Sequence, residues 1–151
     1  YYLDDRFIEK LEKGDMLTFG GDQKYLLDET SYVAQPMGLN DMIFEMLTKG
    51  YQPVLAHPER YQYFWDGDAL YNITLLRERG LKLQVNISSF AGRNSKMAAQ
   101  IVRSLVNEGL VDFIGTDIHR PQQLETLRKT PSVSKELRQL IEQGELLNST
   151  I

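Results

Sequence analysis

The chain has 151 residues, a formal net charge of −4, 42% hydrophobic residues, 25% charged residues and no cysteine. This composition predicts one globular domain and excludes disulfide scaffolds, thiol nucleophiles and cysteine-ligated metal sites. Because no apolar run approaches the roughly 20 residues of a membrane-spanning helix, no membrane insertion is expected. The acidic balance, without a basic stripe, argues against nucleic acid as a partner.

The apolar spacing and the turn residues predict that helices alternate with strands along the chain. A helix over 4–13 is followed by two short strands, 16–19 and 24–29, around the turn Gly20-Gly21-Asp22. The remaining predicted elements are helix 39–49, strand 53–56, helix 68–79, strand 81–86, a polar loop through Asn94, helix 95–108, strand 111–116, and one or two polar helices over 121–147 with Ser132 as an N-cap. The helical stripes place Phe44 and Met97 on core-facing sides.

Polar residues stand at the ends of four predicted strands, and they are Glu29, His57, Asn86 and Asp117. The intervals between them are 28, 29 and 31 residues, and a βαβ unit repeats over about 30 residues. The predicted fold class is therefore α/β with a parallel sheet whose carboxyl ends carry the site. An open doubly wound sheet and a β/α barrel both satisfy this pattern. A complete barrel needs about 250 residues, so this chain would be its later part.

The chain contains two histidines, and each follows a predicted strand. A single histidine in such a place is more often a hydrogen-bonded structural residue. The spacing Asp117-x-His119 favours a metal site, because residues i and i+2 of an extended loop project to the same side. Together with Glu29 and His57 from other strand ends, these side chains form a candidate site for zinc, manganese or iron.

Arg60 is a candidate phosphate-binding residue. It follows His57-Pro58-Glu59 at the start of a loop or helix, where a guanidinium can grip phosphate with two parallel hydrogen bonds. The alternative is a surface ion pair with Glu59 or Asp66, and without other information the sequence favours that alternative.

The polar and aromatic residues near Arg60 each have two interpretations. Asn86, Ser88 and Ser89 end a predicted strand, and they either hydrogen-bond a bound phosphate or are ordinary loop residues. The aromatic residues after Arg60 either stack a ligand ring or pack as one face of a helix. These aromatic residues are Tyr61, Tyr63, Phe64 and Trp65.

Four blocks of the sequence resemble the CpsB/CapC-type bacterial protein tyrosine phosphatases, which belong to the PHP (polymerase and histidinol phosphatase) superfamily. The blocks are Tyr25-Leu-Leu-Asp-Glu-Thr30, Pro53-Val-Leu-Ala-His-Pro-Glu-Arg-Tyr61, Leu83-Gln-Val-Asn-Ile-Ser-Ser89 and Asp112-Phe-Ile-Gly-Thr-Asp-Ile-His119. They follow the family's order and spacing and extend over nearly the whole chain. The His-Pro-Glu-Arg and Asp-x-His blocks are fairly specific.

The resemblance implies part of a distorted seven-stranded β/α barrel with parallel strands and outer helices, with residues 1–151 in a single PHP-type domain. It implies two or three divalent metal ions, manganese with iron or zinc as alternatives, on Glu29, His57, Asp117 and His119. Arg60, His57 and Asp117 would be catalytic, and Arg60, Arg120 and Ser88 would bind phosphate. The implied reaction is hydrolysis of phosphotyrosine in a bacterial tyrosine kinase that controls capsule or exopolysaccharide synthesis, in the cytoplasm.

The sequence departs from the family pattern at two places. No histidine precedes His57, so the family's opening His-x-His block has no counterpart, and Leu124 stands near the place of a further arginine. We therefore expect that the chain lacks the first strands of the barrel and that this stretch alone is inactive. The alternatives are a non-catalytic binding or scaffold domain and a PHP phosphatase for a small phosphoester. Homo-oligomer formation stays open.

Overall fold

The computed structural model describes residues 1–65, 68–92, 95–128, 135–144 and 146–151, and a parallel four-stranded sheet lies at the centre of this described part. The strands follow the order of the sequence and are β1 (Tyr25–Asp28), β2 (Gln52–Ala56), β3 (Lys82–Asn86) and β4 (Phe113–Gly115). The register pairs Leu27 with Val54, Leu55 with Leu83 and Val85 with Ile114. The carboxyl ends of the strands therefore meet at one edge, which confirms the predicted α/β class with parallel strands.

Helices precede the first strand, connect the strands and follow the last of them. They are α1 (Asp5–Lys13), α2 (Leu39–Thr48), α3 (Ala69–Glu78), α4 (Ile87–Phe90), α5 (Lys96–Asn107), α6 (Pro121–Arg128) and α7 (Lys135–Gln143). The starts of α1, α3 and α5 are fixed by the side chains of Asp4, Asp68 and Ser95, each of which accepts a hydrogen bond from a backbone N–H of the first turn. Such a cap satisfies a donor that the helix itself cannot pair. In the part of the chain that the structure describes, no helix is long and apolar enough to cross a bilayer.

The two faces of the sheet differ in their packing. Alternate strand residues such as Leu26, Leu55 and Leu83 belong to the main core, which they share with buried residues of the helices. On the opposite face Tyr25, Val54 and Phe113 form a small cluster, in which the two aromatic rings meet edge to face at 5.0 Å. The small cluster leaves room for a cleft beside it, at the carboxyl edge of the sheet.

Both outer strands of the described sheet have backbone or side-chain partners beyond the sheet. Tyr2 forms a parallel bridge with Glu29 beside β1. Beside β4, the Asn148 side chain accepts from the Ile114 N–H at 2.8 Å and donates to the Ile114 carbonyl at 3.1 Å. The Leu147 N–H donates to the Asp112 carbonyl at 2.9 Å. The segment around Asn148 therefore lies along β4 and pairs backbone groups that an edge strand otherwise leaves open.

Asp112 joins the beginnings of β3 and β4. Its carboxylate accepts hydrogen bonds from the Arg77 guanidinium, from Lys82 Nζ at 3.0 Å and from the Leu83 N–H at 2.9 Å. The carboxylate is buried, and its charge is balanced by two partly exposed cations. This cluster lies at the amino edge of the sheet, opposite the candidate site.

Several predicted elements differ from those observed. The segment 16–19 forms no strand: only Phe19 pairs with Tyr25, because the chain reverses through left-handed Gly20 and Gly21 and no second pair forms. The predicted polar loop after β3 begins instead with α4. The strand β4 is shorter than the predicted strand 111–116 at both ends, and beyond its carboxyl end left-handed Asp117 turns the chain away from the sheet.

Two apolar residues that the helical pattern placed on core-facing sides are exposed instead. Phe44 and Met97 were expected to be buried, yet Phe44 is 70% exposed and Met97 is 40% exposed, because other residues of α2 and α5 supply the buried stripe. The tail contains the two helices α6 and α7, as one of the two alternatives predicted. The predicted N-cap Ser132, the loop residue Asn94 and the predicted ion-pair partner Asp66 lie outside the described residues.

Candidate active site

Four residues predicted as metal ligands lie at the carboxyl edge of the sheet and line one cleft of about 450 Å³, which we call the inner cleft. Glu29 directly follows β1 and His57 directly follows β2, while Asp117 and His119 lie in the loop after β4. Parallel pairing explains their proximity, because it brings the carboxyl ends of adjacent strands to one side. The structure therefore brings together the candidate ligands that the sequence placed about 30 residues apart.

The four side chains stand as two pairs. His57 Nε2 is 3.5 Å from Glu29 Oε2, and His119 Nδ1 is 3.4 Å from Asp117 Oδ1. Within the described ranges, no group of three or more His, Asp or Glu side chains is arranged to hold a metal ion. The donor chemistry nevertheless fits a divalent ion, because two imidazoles and two carboxylates are ligands that zinc, manganese and iron accept.

His57 occupies a buried and conformationally constrained position. Its backbone is left-handed, with φ of 38°, and its N–H donates to the Gln84 carbonyl at 2.6 Å. Its Nδ1 is buried and has no hydrogen-bond partner among the described residues. Burial, followed by the nearby Arg60 guanidinium, lowers the pKa of the imidazole below 6.5. His57 is therefore neutral at pH 7, which is the form that binds a metal ion.

Asp117 is the other candidate ligand with a left-handed backbone, with φ of 52°. Its Oδ2 accepts a hydrogen bond from Arg60 Nη1 at 2.7 Å and from Asn86 Nδ2 at 3.3 Å. A non-glycine residue in this region costs about 1–3 kcal/mol and is found disproportionately at functional sites. Two candidate ligands thus share a left-handed backbone, which among the other non-glycine residues that the structure describes only Lys24 adopts.

Arg60 lines a wider neighbouring cleft of about 1020 Å³, which we call the outer cleft. The two clefts share Glu29, Asp117 and His119. The outer cleft is lined by Arg60 together with Ser88 and Arg120, the two other residues predicted to bind phosphate. Arg60 contacts Asp117 through one nitrogen, and a guanidinium has five N–H donors. The structure thus brings the three candidate phosphate-binding residues together beside the candidate ligands.

Glu59 differs from its sequence-based interpretation as a surface partner of Arg60. It is fully buried, and its Oε1 accepts from the Asn86 N–H at 3.1 Å and from Ser89 Oγ at 2.7 Å. Burial raises its pKa above the ordinary 4.5, and the two hydrogen bonds oppose that rise. Glu59 therefore ties the turn that carries His57 and Arg60 to the end of β3.

The four aromatic residues after Arg60 pack in or against the main core and line neither the inner nor the outer cleft. Tyr61 and Phe64 are buried in the main core, and Tyr63 and Trp65 pack against it. The Tyr61 hydroxyl accepts from the Thr30 N–H at 3.2 Å. Of the two interpretations, packing is the one that the structure supports.

Sequence reasoning missed Tyr32, whose ring lies beside both His57 and Arg60. The centroid of its ring is 5.6 Å from that of His57, nearly parallel to it, and 4.9 Å from Arg60 Cζ. Tyr32 lies in an irregular segment between β1 and α2, where no periodicity distinguishes one residue from the next. The only available signal was its position three residues after Glu29.

The comparisons with known proteins identify the family of this chain. The sequence model of the family described as capsular polysaccharide synthesis, CpsB/CapC, matches residues 1–144. The chain belongs to the CpsB/CapC family. Tyrosine-protein phosphatase YwqE of Bacillus subtilis (strain 168) is 31% identical over 111 residues, which are 74% of this chain and 42% of that protein. Putative tyrosine-protein phosphatase CapC of Staphylococcus aureus is 28% identical over 155 residues, which are 96% of this chain and 58% of that protein.

A solved structure of the CpsB/CapC family has the same fold. It belongs to the crystal structures of YwqE from Bacillus subtilis and CpsB from Streptococcus pneumoniae, described as unique metal-dependent tyrosine phosphatases. It superposes with a TM-score of 0.72 at 26% identity and covers 99% of this chain and 62% of that chain. The chain spans about half the length of the curated CpsB/CapC relatives that it matches.

Proposed function

We infer that the protein containing this chain is a metal-dependent protein tyrosine phosphatase of capsule or exopolysaccharide synthesis. The observation that supports this function is the position of Arg60 beside two histidine–carboxylate pairs at one edge of the sheet. Its family relatives are named tyrosine-protein phosphatases. The proposed substrate is a phosphotyrosine side chain of a bacterial tyrosine kinase, and the proposed compartment is the cytoplasm.

In this proposal residues 1–151 belong to one PHP-type domain, and the parallel sheet is part of a seven-stranded barrel. The proposed ligands of two or three divalent ions, with manganese first and iron or zinc as alternatives, are Glu29, His57, Asp117 and His119. A bound divalent ion supplies hydroxide as a nucleophile at neutral pH, so the absence of cysteine from the sequence is no obstacle to phosphatase chemistry.

Residues of the chain bind the phosphoryl group and position the proposed metal ligands. Arg60 binds phosphoryl oxygens and neutralises the charge that spreads over them in the transition state. Ser88 and Arg120, which line the outer cleft with Arg60, add hydrogen bonds to the same group. Asn86 holds the Asp117 carboxylate through its side-chain amide, and Glu59 holds Asn86 through the backbone.

The test is replacement of Arg60 in the full-length natural protein, assayed on a phosphotyrosine peptide with manganese. Arg60→Ala should lower kcat/KM by a factor on the order of 100 or more without loss of bound metal. Arg60→Lys should recover part of that rate, because it keeps the charge and loses the bidentate fork. His57→Ala should lower both bound metal and rate.

Arg79→Ala is the matched control, because Arg79 is exposed and lies at the end of α3, away from the clefts. If the Arg60→Ala protein keeps full activity, Arg60 is not part of the active site. If the metal-loaded natural protein hydrolyses no phosphate monoester, the proposed activity is wrong and the non-catalytic interpretation is correct. Hydrolysis of small phosphoesters without hydrolysis of the phosphotyrosine peptide would instead assign a small-molecule substrate.

A further inference from the structure

Tyr32 connects two groups that the proposed reaction needs. Its ring stacks on the His57 imidazole with an interplanar angle of 16°, and the Arg60 guanidinium lies over the same ring at 4.9 Å from its centroid. Arg60 in turn contacts Asp117 at 2.7 Å. A guanidinium over an aromatic ring is attracted by the negative charge of the ring face, and the attraction strengthens where water is excluded.

Hydrogen bonds at Tyr32 and at Thr30 attach the segment that carries Tyr32 to the part of the chain directly after Arg60. The Tyr32 carbonyl accepts from the Gln62 N–H at 2.7 Å, immediately after the turn that contains Arg60. Two residues before Tyr32, the Thr30 N–H donates to the Tyr61 hydroxyl at 3.2 Å, and the Thr30 hydroxyl is 2.6 Å from that of Tyr63. The ring therefore has a fixed place relative to the turn from His57 to Arg60.

A long arginine side chain loses rotamer freedom when it is held in one conformation, and this loss opposes binding. The ion pair with Asp117 restrains one end of the guanidinium, but both side chains are partly exposed, at 30% and 26%. A partly exposed ion pair gives little stabilisation alone. The Tyr32 ring supplies a second restraint, which acts on the face of the guanidinium and leaves its edge donors available.

We propose that Tyr32 is a positioning residue that holds the Arg60 guanidinium in its phosphate-binding orientation through contact with the face of the ring. This inference rests on the proposed function of Arg60. It makes a prediction that simple packing does not make: the effect of losing the ring depends on the presence of Arg60. It also predicts that the aromatic ring matters and that the hydroxyl does not.

The experiment is a double-mutant cycle in the full-length natural protein, with kcat/KM on a phosphotyrosine peptide and the inhibition constant of inorganic phosphate as readouts. Tyr32→Leu should lower kcat/KM and weaken phosphate binding, each about 2- to 30-fold. Tyr32→Phe should restore most of both. In the Arg60→Ala background, Tyr32→Leu should have no further effect on either readout.

Bound metal and melting temperature are measured for every variant, and Tyr71→Leu is the matched control, because Tyr71 is exposed on α3 and lines neither cleft. Tyr32 is itself 38% exposed, so its replacement leaves no large cavity. Tyr32→Met is a second variant without a ring, should the leucine variant melt early.

Three results would overturn the inference: equal losses in Tyr32→Phe and Tyr32→Leu, an undiminished loss in the Arg60→Ala background, or no loss in either ring-free variant. The proposed function fails separately. If Arg60→Ala keeps the full rate, Arg60 has no catalytic role, and the assignment of Tyr32 falls with it. If Arg60→Ala loses the rate and the cycle is additive, only the assignment of Tyr32 is wrong.

Discussion

Asp28 is a buried carboxylate next to the candidate site. It ends β1, is 1% exposed, and neither of its carboxylate oxygens has a hydrogen-bond partner among the described residues. Burial raises the pKa of Asp28 well above 3.8. A buried polar group without a partner costs about 1–3 kcal/mol, and more when it is charged.

We expect Asp28→Asn to raise the free energy of unfolding at pH 7 by about 1–3 kcal/mol in metal-free protein. The sign follows from the raised pKa: the unfolded chain releases the proton of Asp28 first, so stability falls as the pH rises from about 3.8 towards the folded pKa. Urea unfolding at a series of pH values measures this. The advantage of Asp28→Asn should vanish below about pH 4, and the exposed Asp22→Asn should show none. An advantage independent of pH would contradict this explanation.

At the level of elements, β4 depends on a side chain for the pairing of its outer edge. The Asn148 amide makes a donor and an acceptor contact with the backbone of Ile114, which imitates the pairing that another strand would supply. Without it, an edge of β4 has open backbone groups that can pair with another molecule.

Asn148→Leu should lower the free energy of unfolding by about 1–2 kcal/mol, because two backbone hydrogen bonds are lost. It should also increase concentration-dependent association. Chemical denaturation and light scattering measure the two effects. Asn107→Leu is the matched control, because Asn107 is an exposed residue at the end of α5. If Asn148→Leu unfolds like the parent and stays monodisperse, the side-chain pairing is dispensable.

Most elements could be predicted because their signals are local. For α5, Ser95 begins the helix, a stripe that includes Val102 and Leu105 is buried, and Gly109 follows its end. The prediction of a strand over 16–19 was wrong because a strand forms only where a neighbouring strand pairs with it. The apolar composition of a segment does not reveal whether such a neighbour exists. The four-residue helix α4 is too short for a period of 3.6 residues to appear in the sequence.

Some residues of the candidate site could likewise be located from the sequence, and others could not. The strand-end residues Glu29, His57 and Asp117 could be located because the repeat of about 30 residues predicts parallel strands. The partner of Arg60 could not be predicted, since Asp117 is 57 residues away and only folding makes them neighbours. The same holds for Tyr32, because an irregular segment has no periodicity from which to infer the direction of its side chain.

At the level of the whole molecule, metal binding should couple to folding. The proposed ligands come from three strand ends that meet only in the folded sheet. An ion that binds the folded state alone stabilises it by about 2.7 kcal/mol at 100 times its dissociation constant. For a protein of about 150–250 residues that stabilisation corresponds to a rise in melting temperature of about 5–10 °C.

We therefore expect manganese to raise the melting temperature of the full-length natural protein and a chelator to reverse the rise. Glu29→Ala and Asp117→Asn should reduce the shift, as measured by differential scanning fluorimetry. Glu108→Ala should keep it, because Glu108 is an exposed carboxylate between α5 and β4, at the amino edge of the sheet. Equal shifts in all of these variants would show that the ions bind elsewhere.

The left-handed backbone at His57 and Asp117 lowers the stability of the fold, while the side chains at the same two positions serve the proposed site. During evolution these two effects oppose each other. Glycine adopts this conformation without strain, and Asp117 is partly exposed, so a lineage released from the need for the site gains stability by replacing Asp117 with glycine. At the buried His57 the same replacement would leave a cavity, and the cost of that cavity opposes the relief of strain. A lineage that keeps the activity must retain both side chains and their strain, and must compensate with stability elsewhere in the sheet. Glycine in place of Asp117 would therefore mark descendants that have lost the chemistry and kept the fold.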